Sequence, residues 1–231
     1  MSYSQNMRVR ARLVPSKYYY QLDRTLGTLL KKMAETKPSR LKIEFSTFGI
    51  AMIPLMIGIN IASSYLASGT PIWADTLGSM LTGIIIGPIN GLVVGILTNV
   101  FKWVTFDPFA LPYAIVNAAI GLIAGVCALL GFVRKERSPA QIGRTLAISV
   151  VLAVVATLTS TPLNVYLWGG STGKVWVDAI FAAFLAGGWQ VFPASMAAEF
   201  ISDITDKIIT FFIAWMIYTR VPVQFVKTTR R

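Results

Sequence analysis

Residues 75–103 read DTLGSMLTGIIIGPINGLVVGILTNVFKW, 29 mostly apolar positions interrupted by Gly87-Pro88-Ile89-Asn90-Gly91. Length alone allows one long kinked helix or two shorter helices joined by a tight turn, since Gly-Pro and Asn-Gly are both turn-forming pairs. Charge decides between them. Ten of the 21 Lys/Arg lie in the first 45 residues, four between Arg134 and Arg144 and four after Tyr218. Loops rich in Lys and Arg stay on the cytoplasmic side of a membrane, so the three patches belong on one face, with an even number of spans separating each from the next. A single span over 75–103 would leave the middle patch outside, whereas two spans bring it inside.

N-terminal to this stretch, residues 46–67 form a first span of about 20 residues, long enough to cross a ~30 Å hydrocarbon core. It exits through the turn-rich SGTPIWAD at residues 68–75. C-terminal to it, a fourth span is expected over residues 112–133 and a fifth over 145–166. Between 168 and 199 the chain is apolar but carries Gly169, Gly170, Gly173, Gly187, Gly188 and Pro193, which interrupt any full span. Half-helices dipping into an outer cavity suit this stretch better, because irregular backbone persists in a membrane only when buried in protein or lining water. A sixth span over 200–218 returns the tail inside. The expected fold is an all-α polytopic membrane protein with six transmembrane helices, both termini cytoplasmic, and half-helices in the outer loop before the last helix. Three regions follow: a basic cytoplasmic segment over 1–45, a membrane domain over 46–222 and a basic cytoplasmic tail over 223–231.

Composition agrees, with 55% hydrophobic and 13% charged residues and a mean hydropathy of +0.63. A soluble domain carries far more charge. The net charge of +11 sits beside apolar spans and forms no compact basic domain. It is read as topology plus attraction to anionic membrane lipid, and nucleic acid is not an expected partner. No cleavable signal peptide is expected, since the first 45 residues contain no apolar run before a small-residue cleavage site. Within that segment Leu22, Leu26, Leu29, Leu30 and Met33 make an amphipathic stripe over 21–35, suited to a surface-lying or partner-docking helix or to a loosely ordered tail. The lone Cys127 excludes an internal disulfide.

The chain has no histidine, which removes the commonest general base and metal ligand. With one cysteine besides, a zinc site or a Cys/His nucleophile is excluded, and neither a phosphate-binding P-loop nor GxSxG occurs. No catalytic residue, metal or cofactor is expected. The polar residues left in the apolar core are Asn60, Asn99, Asn117 and Asn164. Six carboxylates, Asp75, Asp107, Asp178, Glu199, Asp203 and Asp206, fall in the outer half of the expected topology, where a buried acid is costly unless paired. Asp203 and Lys207, four apart, suit an intrahelical ion pair. Asp75 and Asp178 each open an apolar helix, where a first-turn acid also serves as a cap. Five of six tryptophans, Trp73, Trp103, Trp168, Trp176 and Trp189, map to outer ends or loops. An interfacial belt explains such rings, yet a belt populates both faces, so the one-sided excess favours a pocket whose walls stack on a planar ligand.

The block Asp75-Thr76-Leu77-Gly78 through Gly87-Pro88, Gly91, Gly95 and Thr98-Asn99, the run Pro162-Leu163-Asn164 followed by Gly169-Gly170-Ser171-Thr172-Gly173, and Asp203 to Lys207 together resemble the S component of energy-coupling factor (ECF) transporters. These are small six-helix vitamin-binding subunits of prokaryotic cell membranes. The resemblance covers residues 46–222. It implies capture of a vitamin or related micronutrient at the outer face, with riboflavin or another B vitamin foremost. Uptake then requires docking to a transmembrane scaffold subunit driven by two cytoplasmic ATPases. The substrate-binding residues expected on this reading are Asp75, Asn99, Trp103, Asn117, Asn164, Trp168, Gly170, Trp176 and Asp178. In that family a small-xxx-small stripe on the first helix packs against the scaffold, and here the matching positions are Pro54, Gly58 and Ala62, where small side chains let helices approach closely. The rival reading, a stand-alone secondary transporter of a small organic solute, calls for coupling carboxylates near the midplane and paired repeats. The acids look peripheral in sequence and no repeat is visible.

Overall fold

The computed structural model describes residues 47–226 together with Arg24, Leu26, Gly27, Thr28 and Lys31. The chain divides into two units, Met1–Arg40 and Leu41–Arg231. In the first, the five described residues are helical and those with side chains are solvent-exposed. Of the expected amphipathic stripe this includes Leu26 alone; Leu22, Leu29, Leu30 and Met33 lie outside the described residues.

The described part of the second unit is all-helical. Its elements are α1 (Thr47–Leu66), α2 (Leu77–Ile85), α3 (Pro88–Thr105), a 3-10 turn at Leu111–Tyr113, α4 (Ala114–Leu129), α5 (Pro139–Trp168), α6 (Val175–Ala186), α7 (Val191–Arg220) and a closing 3-10 turn at Val223–Phe225. Every residue of α2 is buried, and it packs against α1, α3, α4 and α7, so this short apolar helix is the axis of the bundle. Nine residues rise only about 14 Å, less than half a hydrocarbon core. The segment 75–103 is therefore two helices joined by a turn, but the first is too short to be the expected full span.

The turn between them differs from the expectation in one respect. It is made by Ile86 and Gly87, whose φ of 152° favours glycine, and Pro88 opens α3 as its first residue. Asn90 and Gly91 lie inside α3. Gly91 serves helix crossing instead: a Cβ there would stand 2.6 Å from the Gly121 carbonyl oxygen and 2.8 Å from the Gly83 Cα. Three helices thus meet backbone to backbone through Gly83, Gly91, Gly121 and Gly125.

Among the described residues, three helical stretches are long and apolar enough to cross a membrane: Thr47–Leu66, Leu111–Leu129 and Pro139–Trp168. The 30-residue α7 has the length but carries Glu199, Asp203, Asp206 and Lys207. It begins at Val191, before the expected 200, because the segment expected to hold half-helices is one 12-residue helix, α6, followed directly by α7. Serine 138 caps α5, accepting a hydrogen bond from the Gln141 amide at 3.2 Å. Gly169, in the left-handed region at φ 66°, ends it.

Polarity is distributed as apolar surroundings require. Ile50, Leu55, Leu158, Ile201, Ile209 and Ile213 face outward, while Asn60, Ser79, Thr82, Thr98, Asn117 and Ser149 are buried. Most of the polar interior is hydrogen-bonded. Asn60 Nδ2 donates to Ser79 Oγ and Thr98 Oγ1, both at 2.9 Å, and its Oδ1 accepts from the Gly78 amide at 2.6 Å. The first turn of α2, which has no capping side chain of its own, is capped from α1 in this way. Such apolar helices fit a membrane-associated protein.

The two ends of the bundle differ. At one, the α4–α5 loop is tied to the end of α7: Trp215 Nε1 donates to the Arg134 carbonyl at 2.8 Å, Arg137 to Thr219 Oγ1 at 3.3 Å and Lys135 to the Val221 carbonyl. Phe225 stacks on Phe48 of α1 at the same end, ring centroids 5.1 Å apart. The middle basic patch and Arg220 therefore sit together, beside the start of α1.

Candidate functional site

At the opposite end, where α1 finishes at Leu66 and α5 at Trp168, the helices enclose a cavity of about 860 Å³, within the range of small-molecule sites. Its walls are aromatic, with Tyr65, Trp73, Phe109, Tyr113, Trp168 and Trp176. Phe109 meets the Trp168 ring edge-on at 4.9 Å, Trp168 Nε1 donates to Tyr113 Oη at 2.8 Å, and Tyr113 in turn donates to Asn164 Oδ1. The rings are thus held at fixed orientations by polar handles.

The polar lining contains Asp75, Lys102, Lys174, Glu199, Asp203 and Lys207. Lys102 pairs with Asp75 at 3.4 Å. Lys207 pairs with its chain neighbour Asp206, which corrects the expected pairing with Asp203 one turn away. The physical reason lies in Asp206's other contacts. Its Oδ1 accepts from the Trp73 and Ala74 amides at 3.2 and 2.8 Å and from Thr210 Oγ1 at 3.0 Å, so the carboxylate is fixed beside the ammonium. Asp203 accepts from Thr157 Oγ1 at 2.7 Å, and Glu199 from Ser195 Oγ at 3.0 Å and from Ser160 Oγ. Glu199, Asp203 and Asp206 are all buried, within the bundle and not at its periphery.

Lys174 closes the mouth. Its ammonium donates to the carbonyls of Ala67, Thr70 and Ile72 and lies 4.9 Å from the centre of the Trp73 ring. The α5–α6 loop is thereby pinned to the α1–α2 loop. Burial holds this ammonium below the ordinary lysine range, with Asp75 and Asp206 pulling it back up and Lys102 pushing it down again.

Of the residues expected to bind substrate, Asp75, Asn99, Asn117, Asn164, Trp168 and Trp176 line the cavity, and Trp103, Gly170 and Asp178 do not. Trp103 is half-exposed on α3. Gly170, at φ 98°, leaves room for the Phe181 ring, which a Cβ would overlap. Asp178 holds the preceding loop, accepting from the Thr172 amide at 2.7 Å, the Gly173 amide at 3.1 Å and the Ser171 hydroxyl at 2.8 Å. Asn117 is largely committed to the fold, accepting from Ser79 Oγ at 2.6 Å and donating to the Asp75 carbonyl at 3.0 Å.

Lys102, Lys174 and Tyr113 were not among the expected site residues. Two of these carry a sequence signal: the only Lys/Arg outside the three basic patches are Lys102, Lys174 and Lys207, and all three line the cavity. Among the described residues no group of three or more His, Cys, Asp or Glu is placed to hold a metal ion. No family model, curated protein or solved structure matches the chain.

Proposed function

We propose that this chain is the substrate-binding S component of an ECF-type ABC transporter in a prokaryotic cell membrane. It captures a vitamin or related micronutrient at the outer face, a B vitamin such as riboflavin foremost. It delivers the compound inward when docked to a transmembrane scaffold and two cytoplasmic ATPases. The observation that carries the reading is the placement of the aromatic-walled cavity at the end of the bundle away from the Arg134–Arg144 patch and Arg220. With basic loops on the cytoplasmic side, the cavity opens outward. Six membrane-traversing segments and cytoplasmic termini belong to this proposal.

Pro54, Gly58 and Ala62 lie on an exposed face of α1, and a Cβ at Gly58 would meet nothing within 4 Å. This face is free to receive a scaffold helix. Gly58→Leu is expected to leave the isolated chain folded and its vitamin affinity unchanged. Reconstituted with scaffold and ATPases, the variant loses ATP-dependent uptake and copurifies poorly. Normal uptake by Gly58→Leu would separate this face from the motor.

Ligand contact has its own test. Trp168→Ala is expected to cost ~1 kcal/mol or more of vitamin affinity, the lower range for an aromatic anchor in a desolvated pocket, while Trp103→Ala costs none. Titration by intrinsic fluorescence reads both, and equal losses would place the ligand outside the cavity.

One observation favours the stand-alone carrier: the burial of Glu199, Asp203, Asp206 and Lys207 on one helix, since intramembrane ionisable groups mark ion pathways. Vesicles holding only this chain decide between the two. Uptake driven by an ion gradient without partners would replace the S-component reading.

A further inference from the structure

The charges of the cavity are separated. Every lysine that lines it has its own partners away from Glu199: Lys102 is bound to Asp75, Lys207 to Asp206, and Lys174 to three carbonyls and the Trp73 ring. Glu199 is 4% exposed and accepts from the hydroxyls of Ser160 and Ser195, which are neutral. Among the described residues no Lys or Arg forms an ion pair with Glu199 or Asp203. Lys207, one turn from Asp203, relieves that carboxylate in part, but Glu199 stands a further turn away. A carboxylate so placed is costly unless a cation reaches it.

A second feature concerns the walls of the cavity. The walls that share the cavity with Glu199 include Tyr113 and Trp168, whose π faces attract cations.

We infer that the cavity takes a flat heteroaromatic compound with a positively charged nitrogen, the cation facing Glu199 with Asp203 behind it and the ring against the wall that Tyr113 and Trp168 form together. This rests on the capture reading above and narrows its substrate class, placing a cationic vitamin ahead of the neutral riboflavin named there. The occupant supplies the countercharge that the fold leaves out, so neutral and anionic rings of the same size are discriminated against by the unpaired carboxylate.

The test uses the full-length chain in detergent and six compounds of three charge states, of which 1-methylnicotinamide, nicotinamide and nicotinate differ chiefly in charge. Thiamine and 1-methylnicotinamide are cations, riboflavin and nicotinamide are neutral, and nicotinate and pantothenate are anions. The expected result is binding of one or both cations, with 1-methylnicotinamide preferred over nicotinamide by about tenfold or more, as for a charge-assisted pair. Glu199→Gln retains the size and the acceptor oxygen, so it is expected to abolish that preference without changing the melting temperature by much. Asp203→Asn provides a second variant should Glu199→Gln fail to fold, and it is expected to weaken the same preference. Binding confined to neutral or anionic compounds would overturn the cation assignment and leave vitamin capture standing. Binding of none of the six would overturn both. A preference for cations that survives in Glu199→Gln and Asp203→Asn alike would remove these carboxylates from the site.

Discussion

Gly121→Ala is expected to leave little folded protein. The Cβ it adds would stand 2.6 Å from the Gly91 carbonyl carbon and closer still to its oxygen, and both are backbone atoms that no rotamer change can move. The helices would have to separate, and α3 and α4 form the most extensive helix pair in the bundle. Overpacking usually costs about 1–3 kcal/mol, and a clash confined to backbone belongs at or beyond the top of that range. Gly143→Ala is the control, since nothing lies within 4 Å of a Cβ there, and glycine to alanine within a helix is otherwise stabilising. Thermal denaturation in detergent, read by size-exclusion chromatography, compares the two. A Gly121→Ala protein as stable as Gly143→Ala would mean that α3 and α4 do not cross at these glycines.

The second large effect concerns Asp206. Asp206→Asn keeps an oxygen for the Trp73 and Ala74 amides but takes the countercharge from Lys207, which is 2% exposed. Removing one partner of a buried pair costs about 3–5 kcal/mol, because the other charge is left behind. Adding Lys207→Met to Asp206→Asn is expected to restore most of the loss, since the charge then disappears with its partner. The two single variants and the double variant, unfolded side by side, give the coupling. Undiminished stability in Asp206→Asn would show that Lys207 swings to Asp203, as the four-residue spacing suggests.

Much of the architecture could be read from the chain because it depends on local rules. Glycine before proline marked the α2–α3 turn, and Ser138-Pro139 and Gly169 bracket α5 as cap chemistry prescribes. Asn90-Gly91 misled for an instructive reason: a glycine that permits a turn and a glycine that permits two backbones to touch are the same residue, and the distinction lies in Gly121, 30 residues on. The length of α2 was hidden similarly, since its apolar run merges with that of α3. At the site, residue type carried information where chemistry was scarce. Trp168, Trp176, Asp75, Asn99 and Asn164 line the cavity, while Trp103, of the same type and at the end of a helix, faces away from it. Whether a carboxylate binds a ligand or a loop was not readable. Asp178 is consumed by amides 5 to 6 residues before it, and Asp206 by amides more than 130 residues before it, and no local pattern foretells either.

That last separation sets an order of events during synthesis. The amides of Trp73 and Ala74 have their acceptor on Asp206, and the Pro71 carbonyl has its donor in Ser202 at 2.5 Å. At translation rates of ~5–20 residues per second, the segment at 71–74 leaves the ribosome on the order of ten seconds before α7 does. Throughout that interval the roof of the cavity has no counterpart, and α2 is an apolar helix too short to anchor itself in a bilayer. The contacts that complete this roof form only when the last helix arrives, so the site is completed only when synthesis is nearly over.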